Sequence, residues 1–100
     1  MSLVKERVVS WGASPSPDVA GYKVYYKKGG SPTYSDPSVS VGKNLSITLP
    51  SGLTGAIAWY GDYTLGISCV DTVGNESDMS YGSRFFDFVA PDAPGLVLIG

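Results

Sequence analysis

The sequence predicts an all-β fold, an antiparallel sandwich of two sheets. No segment has the 3.6-residue apolar repeat of an amphipathic helix, and apolar residues alternate with polar ones along several short segments instead. Thirteen glycines and seven prolines divide the 100 residues into those short segments. Seven tyrosines, three phenylalanines and two tryptophans supply the bulky side chains that strands favour. A chain of this length forms one domain.

Four strands are predicted in the first half of the chain, at residues 5–11, 21–28, 34–42 and 44–50. A loop rich in proline and serine separates the first two, and Lys28-Gly29-Gly30 is a turn after the second. Pro37 assigns the third strand to the edge of a sheet, because proline cannot donate a ladder hydrogen bond. The side chains predicted to face the core are Val9, Trp11, Tyr22, Val24, Tyr26, Val39, Val41, Leu45, Ile47 and Leu49.

Two more strands are predicted in the second half, at residues 63–71 and 83–89. Between them lies a turn rich in glycine, asparagine and serine. The predicted core residues of this half are Tyr63, Leu65, Ile67, Cys69, Phe86 and Phe88. Cys69 is the one cysteine, so the chain forms no internal disulfide, and a free cysteine is expected to be a small buried residue.

The order of these segments resembles a fibronectin type III domain of the bacterial extracellular kind. The matching segments are VSW at 9–11, DVAGYKVYY at 18–26, YSDPSVSVG at 34–42 and YTLGISCVDTVGNES at 63–77. The resemblance implies an immunoglobulin-like sandwich with Trp11 in strand B and Tyr22 and Val24 in strand C. It also implies that Tyr63 opens strand F and that its hydroxyl bonds backbone of the preceding loop.

The chain departs from the family pattern in two places. Strand B begins almost at once, so strand A is missing or replaced, and the connection between Leu53 and Tyr63 is longer than usual. We therefore expect a sandwich of strands B to G in residues 1–89. Residues 90–100, APDAPGLVLIG, resemble a linker and the first strand of a following domain.

The composition argues against catalysis and cofactor binding. The chain has no histidine, which removes the usual general base and most zinc sites, and one cysteine cannot build a cysteine-rich metal site. No glycine-rich phosphate loop is present, and no cofactor is expected. A net charge of −2 without a basic cluster disfavours nucleic acid, and no apolar run is long enough for membrane insertion.

Four acidic residues are expected to gather at one pole of the sandwich: Asp18, Asp71, Glu76 and Asp78. Oxygen ligands on loops suit Ca²⁺, so they form a candidate calcium site. The preferred interpretation is that Asp18 and Asp71 bond loop backbone in Asx turns and that Glu76 is solvated, because the spacing is not the dense one of calcium loops.

Aromatic residues give the second candidate site. Exposed tryptophan and tyrosine stack on sugar rings or anchor protein partners, which makes Trp59, Tyr60, Tyr25 and Tyr34 candidate binding residues. The alternative is that the AIAWY segment, residues 56–60, folds back as an apolar plug over the end of the core, and this is the preferred interpretation.

These observations predict a non-catalytic structural or interaction module, a spacer within a larger multidomain bacterial protein that is secreted, at the cell surface or periplasmic. The alternative is a carbohydrate- or protein-binding module that uses Trp59 and Tyr60. Expected partners are neighbouring domains, a glycan in the alternative, and a second copy that pairs through the apolar segment Leu96–Ile99. The alternatives for this segment are a disordered tail and pairing within its own molecule.

Overall fold

A computed structural model describes residues 3–100, and in this range the chain forms six strands and one short 3-10 helix. The 3-10 helix, Thr54–Ala56, lies between the fourth and fifth strands. The strands are β1 (Arg7–Ser10), β2 (Val19–Lys28), β3 (Ser38–Gly42), β4 (Ser46–Leu49), β5 (Tyr60–Asp71) and β6 (Ser80–Asp87).

The strands form two antiparallel sheets, which confirms the predicted all-β sandwich. One sheet contains β1 and β4, and the other has the order β3-β2-β5-β6. The long strands β2 and β5 are central, where Val24 pairs with Ile67 and Tyr22 with Cys69. β3 is an edge strand, as Pro37 predicts. The third and fourth segments are shorter than predicted because pairing begins only at Ser38 and Ser46.

The core lies between the two sheets and is closed at one end by Trp59. Its buried residues are Val24, Ile47, Leu49, Leu53, Ala56, Trp59, Leu65, Phe86 and Phe88. Seven further predicted core residues pack against this cluster while only partly buried: Val9, Trp11, Tyr26, Val39, Val41, Tyr63 and Ile67. The alternation of apolar and polar residues therefore identified most of the core correctly.

The long connection from β4 to β5 places Trp59 in the core. The 3-10 turn is followed by Ala58 in the left-handed region, with φ of 66°, and this reversal turns the next side chain inward. The Trp59 carbonyl accepts a hydrogen bond of 2.7 Å from the Phe88 amide, which ties the connection to the end of β6. Trp59 is 5% exposed and Ala56 is buried, so these two residues form the predicted plug, whereas Ile57 and Tyr60 of the same segment stay exposed.

Two predicted core residues lie outside the core. Leu45 is exposed because it precedes β4, at the end of a sheet that has only two strands. Cys69 is only half-buried, since β1 ends at Ser10 and no strand of the small sheet covers the β5 residues beyond Ile67. Cys69 instead lines a depression with residues of the β1–β2 loop.

The tyrosine corner expected from the family resemblance is not formed. Within the described residues, the Tyr63 hydroxyl makes no hydrogen bond; its ring instead stacks on Trp59 with centroids 3.9 Å apart. The hydroxyl that secures a loop belongs to Tyr22, which accepts a hydrogen bond of 2.9 Å from the Ser14 amide. The lengthened connection before β5 replaces the corner because it brings Trp59 to the face of Tyr63.

The segment after Asp87 extends away from the sandwich. Residues 88–100 form no strand, and every residue from Pro91 to Gly100 is exposed. The chain measures 68 × 24 × 18 Å, whereas the longest strand, with 12 residues, accounts for about 40 Å. The radius of gyration is 17.1 Å, against about 13 Å for a compact domain of this length.

Replacing Trp59 by alanine should cost about 3–5 kcal/mol of the free energy of unfolding, because a large ring is lost from the core. Trp11→Ala should cost less, since Trp11 is only partly buried and lies at the side of the cluster. Urea denaturation of both variants measures the difference. Equal losses, or a larger loss for Trp11→Ala, would contradict the central place of Trp59.

Candidate binding surfaces

The central part of the outer face of the large sheet is covered by the chain's own loop of residues 29–37. Pro32 is among the most completely buried residues of the protein, and its carbonyl accepts a hydrogen bond from the Tyr81 hydroxyl. Gly66 permits this close cover: a Cβ there would lie 3.1 Å from Pro32 and 2.7 Å from the sulfur of Met79. The sequence predicted only a turn at Lys28-Gly29-Gly30; in the structure the longer loop covers the middle of the sheet.

A hydrogen-bonded carboxylate lies beneath this cover. Glu76 accepts hydrogen bonds from the hydroxyls of Tyr25 at 2.6 Å and Ser68 at 2.5 Å. The ammonium group of Lys23 lies 3.7 Å from its other oxygen. Glu76 also bridges to Val70, which aligns the loop before β6 with the end of β5. The expectation that Glu76 is merely solvated is therefore wrong, because β2 and β5 present two hydroxyls to it.

The groups of this cluster shift one another's pKa values. Burial raises the pKa of Glu76, but the hydrogen bonds from Ser68 and Tyr25 and the charge of Lys23 outweigh burial, so the pKa lies below its ordinary value. Burial, and then the hydrogen bond to Glu76, raises the pKa of Tyr25. At neutral pH the cluster therefore contains an ionised carboxylate and a neutral phenol. Because it ties together two strands and a loop, its first role is structural.

The four acidic candidates do not assemble into a cation site. In residues 3–100, no three acidic, histidine or cysteine side chains are arranged to hold a metal ion. The Asp71 carboxylate accepts hydrogen bonds from the amides of Val73 and Asn75, which confirms its Asx turn, and bonds from Asn75 lower the pKa of Asp71. At Asp18 the hydrogen bond to the loop is made by the backbone carbonyl, which accepts from the Thr72 amide, and not by the carboxylate.

Two of the four aromatic binding candidates are buried, which corrects their assignment as surface residues. Trp59 is in the core, and Tyr25 is only 2% exposed although its strand position faces outward. The reason for the second is the loop 29–37, whose Tyr34 packs edge-on against the Tyr25 ring with centroids 5.9 Å apart. Tyr34 stays exposed, but its hydroxyl is bound to the carbonyl of Ser77.

Tyr60 is the candidate that remains on a free surface. It is 58% exposed and packs edge-on against Phe85, which is also exposed, with centroids 5.1 Å apart. Sequence analysis did not single out Phe85, although its outward position in the alternation around Phe86 indicates it. The pair offers two aromatic rings, but the other candidates do not join them.

A groove runs between β1 and β6. It has a volume of about 390 Å³. Its floor consists of apolar core side chains, and its walls are the unpaired edges of the two strands. The floor residues are Val9, Trp11, Leu65, Ile67 and Phe86. The Trp11 indole N–H is buried and has no acceptor among the described residues.

Comparison with protein-family models, curated proteins and solved structures gives no match for this chain. Within the described residues, no helix has the length and apolarity needed to cross a membrane. The fold defines this chain as an antiparallel β-sandwich.

Removal of the Glu76 charge should weaken the fold at neutral pH. Glu76→Gln keeps the side-chain volume but loses charge-assisted hydrogen bonds, and we expect a cost of about 1–3 kcal/mol. An unfolded glutamate titrates near about pH 4.3, and the folded pKa is lower. The unfolded state therefore binds the proton first as the pH falls, so the advantage of wild type over the variant should be complete above that pH and disappear on acidification. A difference independent of pH would contradict this.

Tyr25→Phe tests the same cluster from its donor side. Loss of the buried hydroxyl should cost about 1–3 kcal/mol, because it donates to a charged group. Tyr34→Phe is the matched control, since it removes a hydroxyl from an exposed ring. Its cost should be smaller. In the double variant of Tyr25→Phe and Glu76→Gln the two losses should not add, because the groups share one bond.

Proposed function

We propose that this chain is a non-catalytic structural module of the fibronectin type III kind, which spaces or presents its neighbours in a larger extracellular protein. The sheet order supports the family assignment: β1-β4 and β3-β2-β5-β6 match the B-E and C′-C-F-G sheets that the resemblance implies. The extracellular setting follows from the resemblance to bacterial extracellular domains.

The observation that carries the proposal is how the chain uses its reactive and aromatic groups internally. The Ser68 hydroxyl is 1% exposed and donates to Glu76, so a substrate cannot reach it. Trp59 and Tyr25 are buried, and the loop 29–37 covers the central part of the outer sheet face around Tyr25. The residues build a rigid body, with β5 about 40 Å long, from which a proline-containing segment leads away.

A second candidate function is carbohydrate or protein binding, favoured by one observation, the exposed pair of Tyr60 and Phe85. Two rings set edge to face offer one side for stacking on a sugar ring or an apolar side chain. This function needs only the start of β5 and the last residues of β6, and it is compatible with a spacer.

Thermal unfolding in the presence of glycans separates the two. A spacer should unfold in one transition whose midpoint does not change with a panel of plant and bacterial polysaccharides at saturating concentration. A rise that is abolished in Tyr60→Ala and retained in Tyr34→Ala would establish the second function instead. Release of reducing sugar or of any cleaved product by the wild type would contradict a non-catalytic module.

A further inference from the structure

The groove between β1 and β6 has the form of a site for one more strand. β1 pairs with β4 on one side only, and β6 pairs with β5 on one side only, so both walls are open edges in the described chain. The floor between them is apolar and is lined by Leu65, Ile67 and Phe86. A strand in this position would meet hydrogen-bonding groups along its edge and apolar side chains beneath it.

The register identifies the free backbone groups of β1. The Trp11 amide donates to the Leu45 carbonyl at 3.0 Å, so the backbone N–H and C=O groups of Trp11 point toward the chain of β4. Successive residues of an antiparallel strand alternate in direction, and Val9 therefore also faces β4. Val8 and Ser10 direct their N–H and C=O groups to the open edge, where both border the groove. An added strand of four or five residues would satisfy these four groups.

The same chain carries an unused segment of matching length. Leu96, Val97, Leu98 and Ile99 are consecutive apolar residues that are 76–93% exposed. Exposed apolar runs of this kind, without a charge, are prone to pair with a sheet edge. β1 has four residues, and so has this segment.

The segment does not reach the groove of its own molecule in the conformation described. Residues 88–94 run without a turn, and the first bend is at Gly95. Seven extended residues carry the chain about 23 Å beyond β6, whereas the residues after Gly95 span only about 16 Å. Pro91 and Pro94 favour this extended path.

Strand directions also favour another molecule. β6 starts at the pole where β1 ends. At that pole the Trp11 ring, just after β1, lies next to the Tyr22 ring, and Tyr22 pairs with Cys69 of β5. β6 begins opposite Ile67, which is only two residues before Cys69. The tail therefore leaves at the pole where β1 starts. Folding back would make it run parallel to β1, while a tail that enters from the opposite pole runs antiparallel to it, which pairs better. Such a tail comes from a second copy placed head to tail.

We infer that Leu96–Ile99 of one molecule binds as an added strand along β1 in the groove of a second copy of this chain. The inference goes beyond the proposed spacer function and does not depend on it. In the added strand, alternate residues point to opposite faces, so Leu96 and Leu98 form one set and Val97 and Ile99 the other. One set enters the groove and the other faces outward.

Sedimentation velocity and light scattering of the full chain at increasing concentration test the inference. A strand of this size buries a small interface, so we expect a dissociation constant between about 1 μM and 1 mM. The two double-serine tail variants, L96S with L98S and V97S with I99S, should differ: one abolishes association and the other weakens it less. Equal effects of both sets would contradict a strand and indicate nonspecific apolar contact.

Two complementary variants distinguish head-to-tail pairing from other contacts. Val8→Pro removes an N–H from the open edge of β1 and leaves the bonds to β4 in place. Its thermal midpoint, measured at low concentration, must match the wild type; Ser10→Ala is the matched control that keeps the N–H. Val8→Pro can donate its Leu96–Ile99 segment but cannot accept one in its groove. The more damaging tail variant can accept a segment in its groove but cannot donate one.

Each of these two variants alone should be monomeric, and their mixture should form a 1:1 dimer that does not grow further. Ser10→Ala should associate like the wild type. The inference is overturned if the wild type is monomeric up to about 1 mM. Pairing of the segment with its own molecule would give this result. It is also overturned if Val8→Pro associates like the wild type or if the mixture does not associate.

Discussion

The stacking of Trp59 on Tyr63 determines how the two sheets of this sandwich are joined. The ring centroids are 3.9 Å apart and the planes nearly parallel, and Phe86 of β6 and Phe88 just after it close around the same indole. The small sheet has only two short strands and cannot cover the large one alone. The connection after β4 therefore supplies the missing cover, and its length follows from the need to bring one large ring over the end of the core.

The second face of the large sheet shows what alternation can and cannot predict. Period two correctly assigned Val24 to the inner face and Tyr25 to the outer one. It does not state whether the outer face meets water, because that depends on where a loop packs. Pro32 and Tyr34 lie over Tyr25, and Glu76 comes from the other side to accept its hydroxyl. Three sequence-distant segments make this cover, so no local pattern contains it.

The remaining differences between prediction and structure arise at strand ends. The six strands and most core residues follow from alternation, since each side chain there is covered by an opposite sheet. Leu45 and Cys69 obey the same alternation, but they lie beyond the last residue of the facing strand. The Tyr63 hydroxyl was assigned by family resemblance, and the longer connection changed its surroundings. Plugging by Trp59 was predictable because AIAWY is too apolar for an exposed loop.

Trp59 covers one end of the core, but the core edge along β1 stays uncovered and forms the groove. The free energy of binding decides which segment can fill this groove. Burying two apolar side chains contributes about 3–6 kcal/mol, and a few backbone hydrogen bonds about 1 kcal/mol each. Association and ordering of a free segment offset a large part of this gain. A free four-residue strand is therefore held weakly, while tethering at an effective millimolar concentration would offset much of the association cost. The groove is thus best suited to a strand that neighbouring copies hold close by, so its occupancy depends on how densely copies of the module are arranged.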